Sequence, residues 1–204
     1  MVADTELREL APAAFAHAVP ALLRVYEAAM DPPPEQLPGR ASAMGAHTGH
    51  PGFRSIIALV EGNPVGFAYA FRGMRGQWWH DTVAAGILAA NGRAEVRRWL
   101  ADPFEIAEVH VHPEMQNRGI GRAVLQALCA GRPERTAVLS TRTGPTAARH
   151  LYHSCGFIEV LEDFSFPGSP DSPFSIMAAP LPLTGSADPT PPGRSPWWRW
   201  TGST

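Results

Sequence analysis

Charge is scarce in this 204-residue chain: 18% of the residues are ionic, they sum to a net −2, and no basic run exceeds two adjacent arginines. A nucleic-acid-binding face needs a concentrated positive stripe, so that class of partner is excluded as an expectation. Cysteine is scarcer still. Cys129 and Cys155 cannot form a disulfide framework, and both fall in apolar helical contexts, which predicts buried thiols in a reducing compartment. The N-terminus lacks a basic start followed by an apolar run, so no signal peptide is expected. No stretch of 18 apolar residues is present, so no membrane span is expected either. These absences together predict a cytoplasmic protein without a membrane partner. No internal repeat is visible.

What the chain does have is 45% apolar residues, enough for one domain with a proper core. Nineteen glycines and 21 prolines predict long loops or tails. Residues 5–10 alternate weakly, as a first strand. Phe15, Val19, Leu22, Tyr26 and Met30 then step by three or four, a helical stripe. Pro20 predicts a kink or break inside it, and Asp31-Pro32-Pro33-Pro34 its end. Residues 35–52 read as a loop with a short helix. Residues 55–60 and 65–71 read as a hairpin around Gly62-Asn63. Residues 72–103 form a long connection with Trp78 and Trp79 and a helix near 94–100. A strand is expected over 104–111, another over 136–141, and two closing strands over 157–162 and 174–181. The helix between the last two pairs is expected to start with Pro145 and stop at Cys155-Gly156-Phe157. The order predicts an α/β sheet of mixed direction, one domain over residues 1–183. Residues 184–204, with Trp197, Trp198 and Trp200, read as a flexible tail.

The most informative stretch runs Val109-His110-Val111-His112-Pro113-Glu114-Met115-Gln116-Asn117-Arg118-Gly119-Ile120-Gly121-Arg122-Ala123. An apolar strand, a turn and two glycines open an amphipathic helix there. The first helical turn leaves N–H groups unpaired, its dipole favours an anion, and glycine lets a phosphate come close to the main chain. A nucleoside-triphosphate loop needs Lys and Ser or Thr after the last glycine, and neither follows Gly121. A dinucleotide fingerprint needs a third glycine, where Val124 stands.

Gln116-x-x-Gly119-x-Gly121 after such a strand resembles the coenzyme A pyrophosphate loop of the GNAT N-acetyltransferase superfamily. The resemblance extends over residues 5–182. The hairpin 55–71 stands at the family's second and third strands, and Ala148-Arg149-His150-Leu151-Tyr152 with Gly156-Phe157 resembles its Ala-x-x-x-Tyr…Gly-Phe helix end. Gly66-Phe67, Trp78-Trp79 and the strand 105–113 look most like the small members common in actinobacteria. The resemblance implies the GNAT acyl-CoA N-acyltransferase fold: a mostly antiparallel sheet of six to seven strands, flanked by helices and splayed between strands four and five. It also implies transfer of acetyl from acetyl-CoA to a primary amine, on a small molecule or a peptide, by direct attack in a ternary complex. The alternative is a non-catalytic acyl-CoA-binding or partner-binding protein that kept the fold, as a monomer or homodimer.

By the same resemblance, the main chain of Val109, His110 and Val111 pairs with the pantetheine arm. Gln116, Asn117 and the N–H groups from Arg118 through Gly119, Ile120, Gly121 and Arg122 to Ala123 hold the pyrophosphate. Tyr152 also touches the cofactor and protonates the departing thiolate, whose conjugate acid has a pKa of about 8.5. The amine must lose a proton, and Glu105 or Glu108 is the candidate base. Tyr26, Trp78, Trp79 and the side chain of His110 are candidate acceptor-lining residues. Pro145 departs from the family, which often has asparagine there. A zinc site needs three or four converging ligands, and neither His110 with His112 nor His47 with His50 supplies them, so no metal is expected.

Overall fold

The computed structural model describes residues 5–167 and 172–184, which form one seven-stranded sheet in the order β1-β2-β3-β4-β5-β7-β6. The strands are β1 (Glu6–Leu10), β2 (Arg54–Val60), β3 (Asn63–Arg72), β4 (Pro103–Val111), β5 (Thr136–Arg142), β6 (Ile158–Phe164) and β7 (Phe174–Pro180). All neighbours run antiparallel except β4 and β5, which are parallel. The helices are α1 (Pro12–Met30), α2 (Leu37–His47), α3 (Trp78–Leu100), α4 (Ile120–Cys129) and α5 (Ala147–Ser154).

Strand alternation distributes the apolar residues over both faces. On one face, Ile56, Ala68, Ile106, Leu139 and Met177 pack against α4 and α5 through Val124, Leu128 and Tyr152. On the other, Ile57, Phe67, Tyr69 and Phe71 meet α1 and α2, while Val138, Ile176 and Ala178 meet α3. The second face therefore carries two separate cores, and β4 runs between them.

Local readings hold at most elements and slip at five. α1 passes through Pro20 without a break, because Phe15, Val19, Leu22, Val25 and Tyr26 bury one side while Pro20 faces solvent. Its stop at Asp31 is as expected, with φ 45°. The hairpin turn is Glu61-Gly62 rather than Gly62-Asn63, with φ 51° and 80°, and Val60 pairs with Asn63. A two-residue turn of this kind needs positive φ at both places, and glycine takes the second. The stretch expected to hold one short helix contains the 11-residue α2. The long connection is almost wholly α3, interrupted only where Gly92 adopts φ 82° and ψ 177°. α5 begins after Pro145: Thr146 is its N-cap, and its Oγ1 accepts from the N–H of Arg149 at 3.2 Å. Of the tail expected at 184–204, all but Thr184 lies outside the described residues.

Candidate active site

The parallel strands β4 and β5 pair only at Pro103–Thr136, Phe104–Ala137 and Glu105–Val138. Beyond Glu105 they separate, so the β5-facing edge of β4 from Ile106 to Val111 is not paired into the sheet. Backbone donors and acceptors on such an edge need partners. A bulge adds to this: Tyr69 pairs with Glu108 and Ala70 with Ile106, leaving Ala107 unmatched. As a result Val109 and Val111 pack with the α4–α5 side, while Glu108 and His110 turn to the α1–α2 side.

A cavity of about 760 Å³ opens at the splay. Val109 and Val111 form its floor. The turn after β4 forms one wall, through Gln116, Asn117, Gly119, Ile120, Gly121 and Arg122, and Tyr152 lies among the residues of the other wall. Gln116 Nε2 donates to Val111 O at 3.0 Å and pins the turn to the strand end. Asn117 and Gly119 take φ 60° and 81°, reversing the chain so that α4 starts at Ile120 with no side-chain cap. Its first N–H groups consequently face the cavity mouth unspent. Ala123 is already inside the helix, its N–H given to Gly119 O at 3.0 Å, and neither it nor Arg118 lines the cavity. Arg122 lines it, but its guanidinium is engaged by Ser154 O at 3.2 Å and Ser154 Oγ at 2.7 Å. A Cβ on Gly121 would come within 3.1 Å of Leu151 Cδ2, so this glycine also sets how closely α4 and α5 approach.

The facing wall comes from the loop between β5 and α5. Gly144, Pro145 and Thr146 line it, with Ala147 and Arg149 from the first turn of α5. The sequence marks Pro145 and, within the Ala148–Tyr152 motif, Arg149, but gives no sign of Gly144, Thr146 or Ala147. Arg149 holds that loop by bonding Gly144 O at 3.1 Å and Glu159 at 2.6 Å. Tyr152 is 6% exposed, and burial pushes its phenol above the usual tyrosine range, with Glu108 adding in the same direction. The group is therefore a protonated phenol at neutral pH.

The other candidate residues gather on the opposite face of β4. Glu108 is bonded by Arg40 from α2 at 2.6 Å, and its second oxygen makes a short contact with His110 Nε2. Tyr26 meets the His110 ring edge-on at 5.0 Å, and Arg40 lies 5.0 Å over the Tyr26 ring. Burial alone would lower the pKa of Arg40, but Glu108 and the tyrosines outweigh it and leave it raised. Beside them Tyr69 bonds His47 Nδ1 at 3.0 Å. Burial, then His50, hold His47 below the ordinary histidine value. Glu105 sits apart, 5% exposed, with Oε2 unbonded, and burial raises its carboxyl to about 8. Both glutamates are thus interior groups on a central strand. Trp79 Nε1 donates to Ser140 Oγ at 3.3 Å, and Trp78, 60% exposed, packs on Phe166 at 5.6 Å. They wall the α3 side and join neither the cavity nor the Glu108 cluster. Arg40, Tyr69 and His47 were missed as site residues: the packing of α2 brings Arg40 and His47 to β4, and the β3–β4 register sets Tyr69 beside Glu108.

Residues 51–159 match the sequence profile of the acetyltransferase (GNAT) domain. The chain is 35% identical over 133 residues to a GCN5-like protein acetyltransferase of Mycobacterium tuberculosis; the match spans 63% of this chain and 64% of that protein's length. Among solved structures, a GNAT-family protein from Desulfovibrio desulfuricans superposes with a TM-score of 0.62 at 15% identity, over 87% of this chain and 99% of that one. The PaiA N-acetyltransferase of Thermoplasma acidophilum, solved with coenzyme A, superposes with a TM-score of 0.53 at 12% identity, over 87% and 97%.

Proposed function

Because this chain belongs to the GNAT acetyltransferase family, we propose that it transfers the acetyl group of acetyl-CoA to a primary amine by direct attack in a ternary complex. The observation that carries this reading is the meeting, in one cavity, of an unpaired strand edge, an uncapped helix start and a protonated tyrosine. Residues 1–183 would be the catalytic domain, and the cytosol its place of work. The name of the mycobacterial relative favours a protein amine as acceptor over a small molecule.

The residues suit coenzyme A. Its pyrophosphate needs backbone N–H groups at a helix start, and its pantetheine amides need an open strand edge. When bound it supplies an activated thioester. The free edge of β4 aligns the arm, and the N–H groups from Gly119 to Arg122 hold the phosphates. Tyr152 gives its phenolic proton to the leaving sulfur and recovers it from solvent. Glu105, in its ionised form, takes a proton from the incoming ammonium through water. An unbonded carboxyl near 8 is closer to an amine than Glu108, which Arg40 and His110 already hold, and its ionised share grows as pH rises toward 8. Tyr26, His110 and Arg40 border the amine's approach, with Trp79 opposite.

Replacing Tyr152 with Phe tests the reading: kcat falls about 10²-fold while acetyl-CoA affinity stays within about twofold. Unchanged kcat contradicts the acid role. One observation favours a binding protein without catalysis. Pro145 lines the cavity where the family often has asparagine and offers no donor there. Acetyl-CoA binding without turnover on any amine would favour that second reading.

A further inference from the structure

The connection between β3 and β4 builds a second concavity, of about 1100 Å³, away from the acetyl-CoA cavity. Gly92 divides α3 into two segments, and His80 Nε2 against Leu100 O at 3.3 Å ties the start of the first to the end of the second. A groove is left along them. Arg72, Arg75, Arg93 and Arg97 line it, against Asp81 alone of opposite sign. Arg72 is paired with Asp102 at 2.8 Å. Asp81 is turned onto the Gly76 N–H at 2.9 Å and His80 at 3.2 Å, where it shapes the loop. Arg93 and Arg97 have no ion pair among the described residues. The groove also exposes apolar surface: Met74 and Leu88 are 43% and 46% exposed, two of the five large hydrophobic residues so exposed among the described residues.

This local excess of positive charge stands on a chain of net charge −2 that contains no lysine at all. Guanidinium forks match carboxylates bidentately, whereas an ammonium acts as a point charge. No Phe, Tyr or Trp lines the groove, and its one imidazole, His80, is buried and held by Asp81 and Leu100 O, so bases would find no open ring to stack on. Exposed leucine and methionine suit an aliphatic side chain instead. We propose that the α3 groove docks an acidic protein segment, with Arg75, Arg93 and Arg97 holding its carboxylates and Leu88 and Met74 its aliphatic anchor.

The test is binding by the full chain, measured by fluorescence anisotropy. The probes are a short labelled peptide alternating glutamate with leucine, the same peptide with lysine for glutamate, and a single-stranded oligonucleotide of equal charge. The glutamate peptide binds and weakens with added salt, and the lysine peptide does not bind. Arg93→Glu with Arg97→Glu weakens binding by about tenfold or more, and Leu88→Ser by several-fold, with coenzyme A affinity and thermal midpoint unchanged. These substitutions are at exposed positions, and the coenzyme A readout keeps a folding failure or a failed transferase reading distinct. Equal binding by wild type and variants, tighter binding of the oligonucleotide, or no binding of the acidic peptide overturns the proposal.

Discussion

Glu105 and Glu108 lie on one strand, three residues apart, and the bulge at Ala107 points both toward the same face. Their environments separate them. Glu108 is balanced by Arg40 and His110, while Glu105 has only burial acting on it. Desolvation without a partner favours the neutral acid. For Glu105 the folded-state pKa, about 8, stands above the unfolded value of 4.5. The stability this gives is therefore complete below about 4.5 and is lost as pH rises through about 8. Glu105→Gln abolishes that loss. The thermal midpoint of the variant, relative to wild type, should rise from pH 5 to pH 9; parallel curves would show that the carboxyl is not held neutral. In the sequence only the resemblance to the family favoured Glu105 over Glu108. Their environments were not legible, because Arg40 is 68 residues away from Glu108 and the bulge has no signature in single-residue spacing. Tyr152 was legible, since motif and helix stripe both indicated it.

At the scale of elements, the cavity is made by two helix starts that face each other. α4 leaves its first turn uncapped, which a ligand can use, whereas α5 is closed by Thr146. Thr146→Ala should cost about 1 kcal/mol in a denaturant titration, the usual loss of a side-chain cap; no change in midpoint would mean the cap is idle. Gly121→Val should weaken coenzyme A binding by about tenfold or more in calorimetry, because the added side chain crowds Leu151 and enters the cavity. Retained affinity would mean the phosphates lie elsewhere. The α4 turn was readable because its glycines, polar turn and apolar strand are contiguous. The start of α5 was misplaced by one signal, Pro145, which suits a first helical turn but stands just before the cap. The extent of α3 was not readable, since Gly92 breaks its period and its buried stripe, Val83 and Ile87 then Trp99 and Leu100, changes phase across the break.

Taken as a whole, the molecule is a sheet with one helix pair on one face and two helical units on the other, divided over β4. The positions of the strands along the chain were legible because each is a short apolar run with turn residues at its ends. The splay after the fourth strand came only from the resemblance to the GNAT family, and the strand order and the parallel β4–β5 pair came from the structure. The contents of the divided face did not, because α1, α2 and α3 reach β4 only through long-range packing. On the proposed function the acceptor would enter on that face, opposite the cavity, and donor and acceptor would meet across a single strand. The chain also lacks lysine, so no side-chain amine of its own competes as acceptor.

That meeting across β4 is tested most directly by following both products of one reaction. Acetyl-CoA is incubated with the full chain and a panel of amines that includes peptides with free N-termini and lysines. Released coenzyme A thiol and acetylated amine are then counted together. The account predicts one acetylated amine per thiol released, at a rate that depends on the amine and collapses in Tyr152→Phe. Tight acetyl-CoA binding with no acetylated amine from any member of the panel would contradict it.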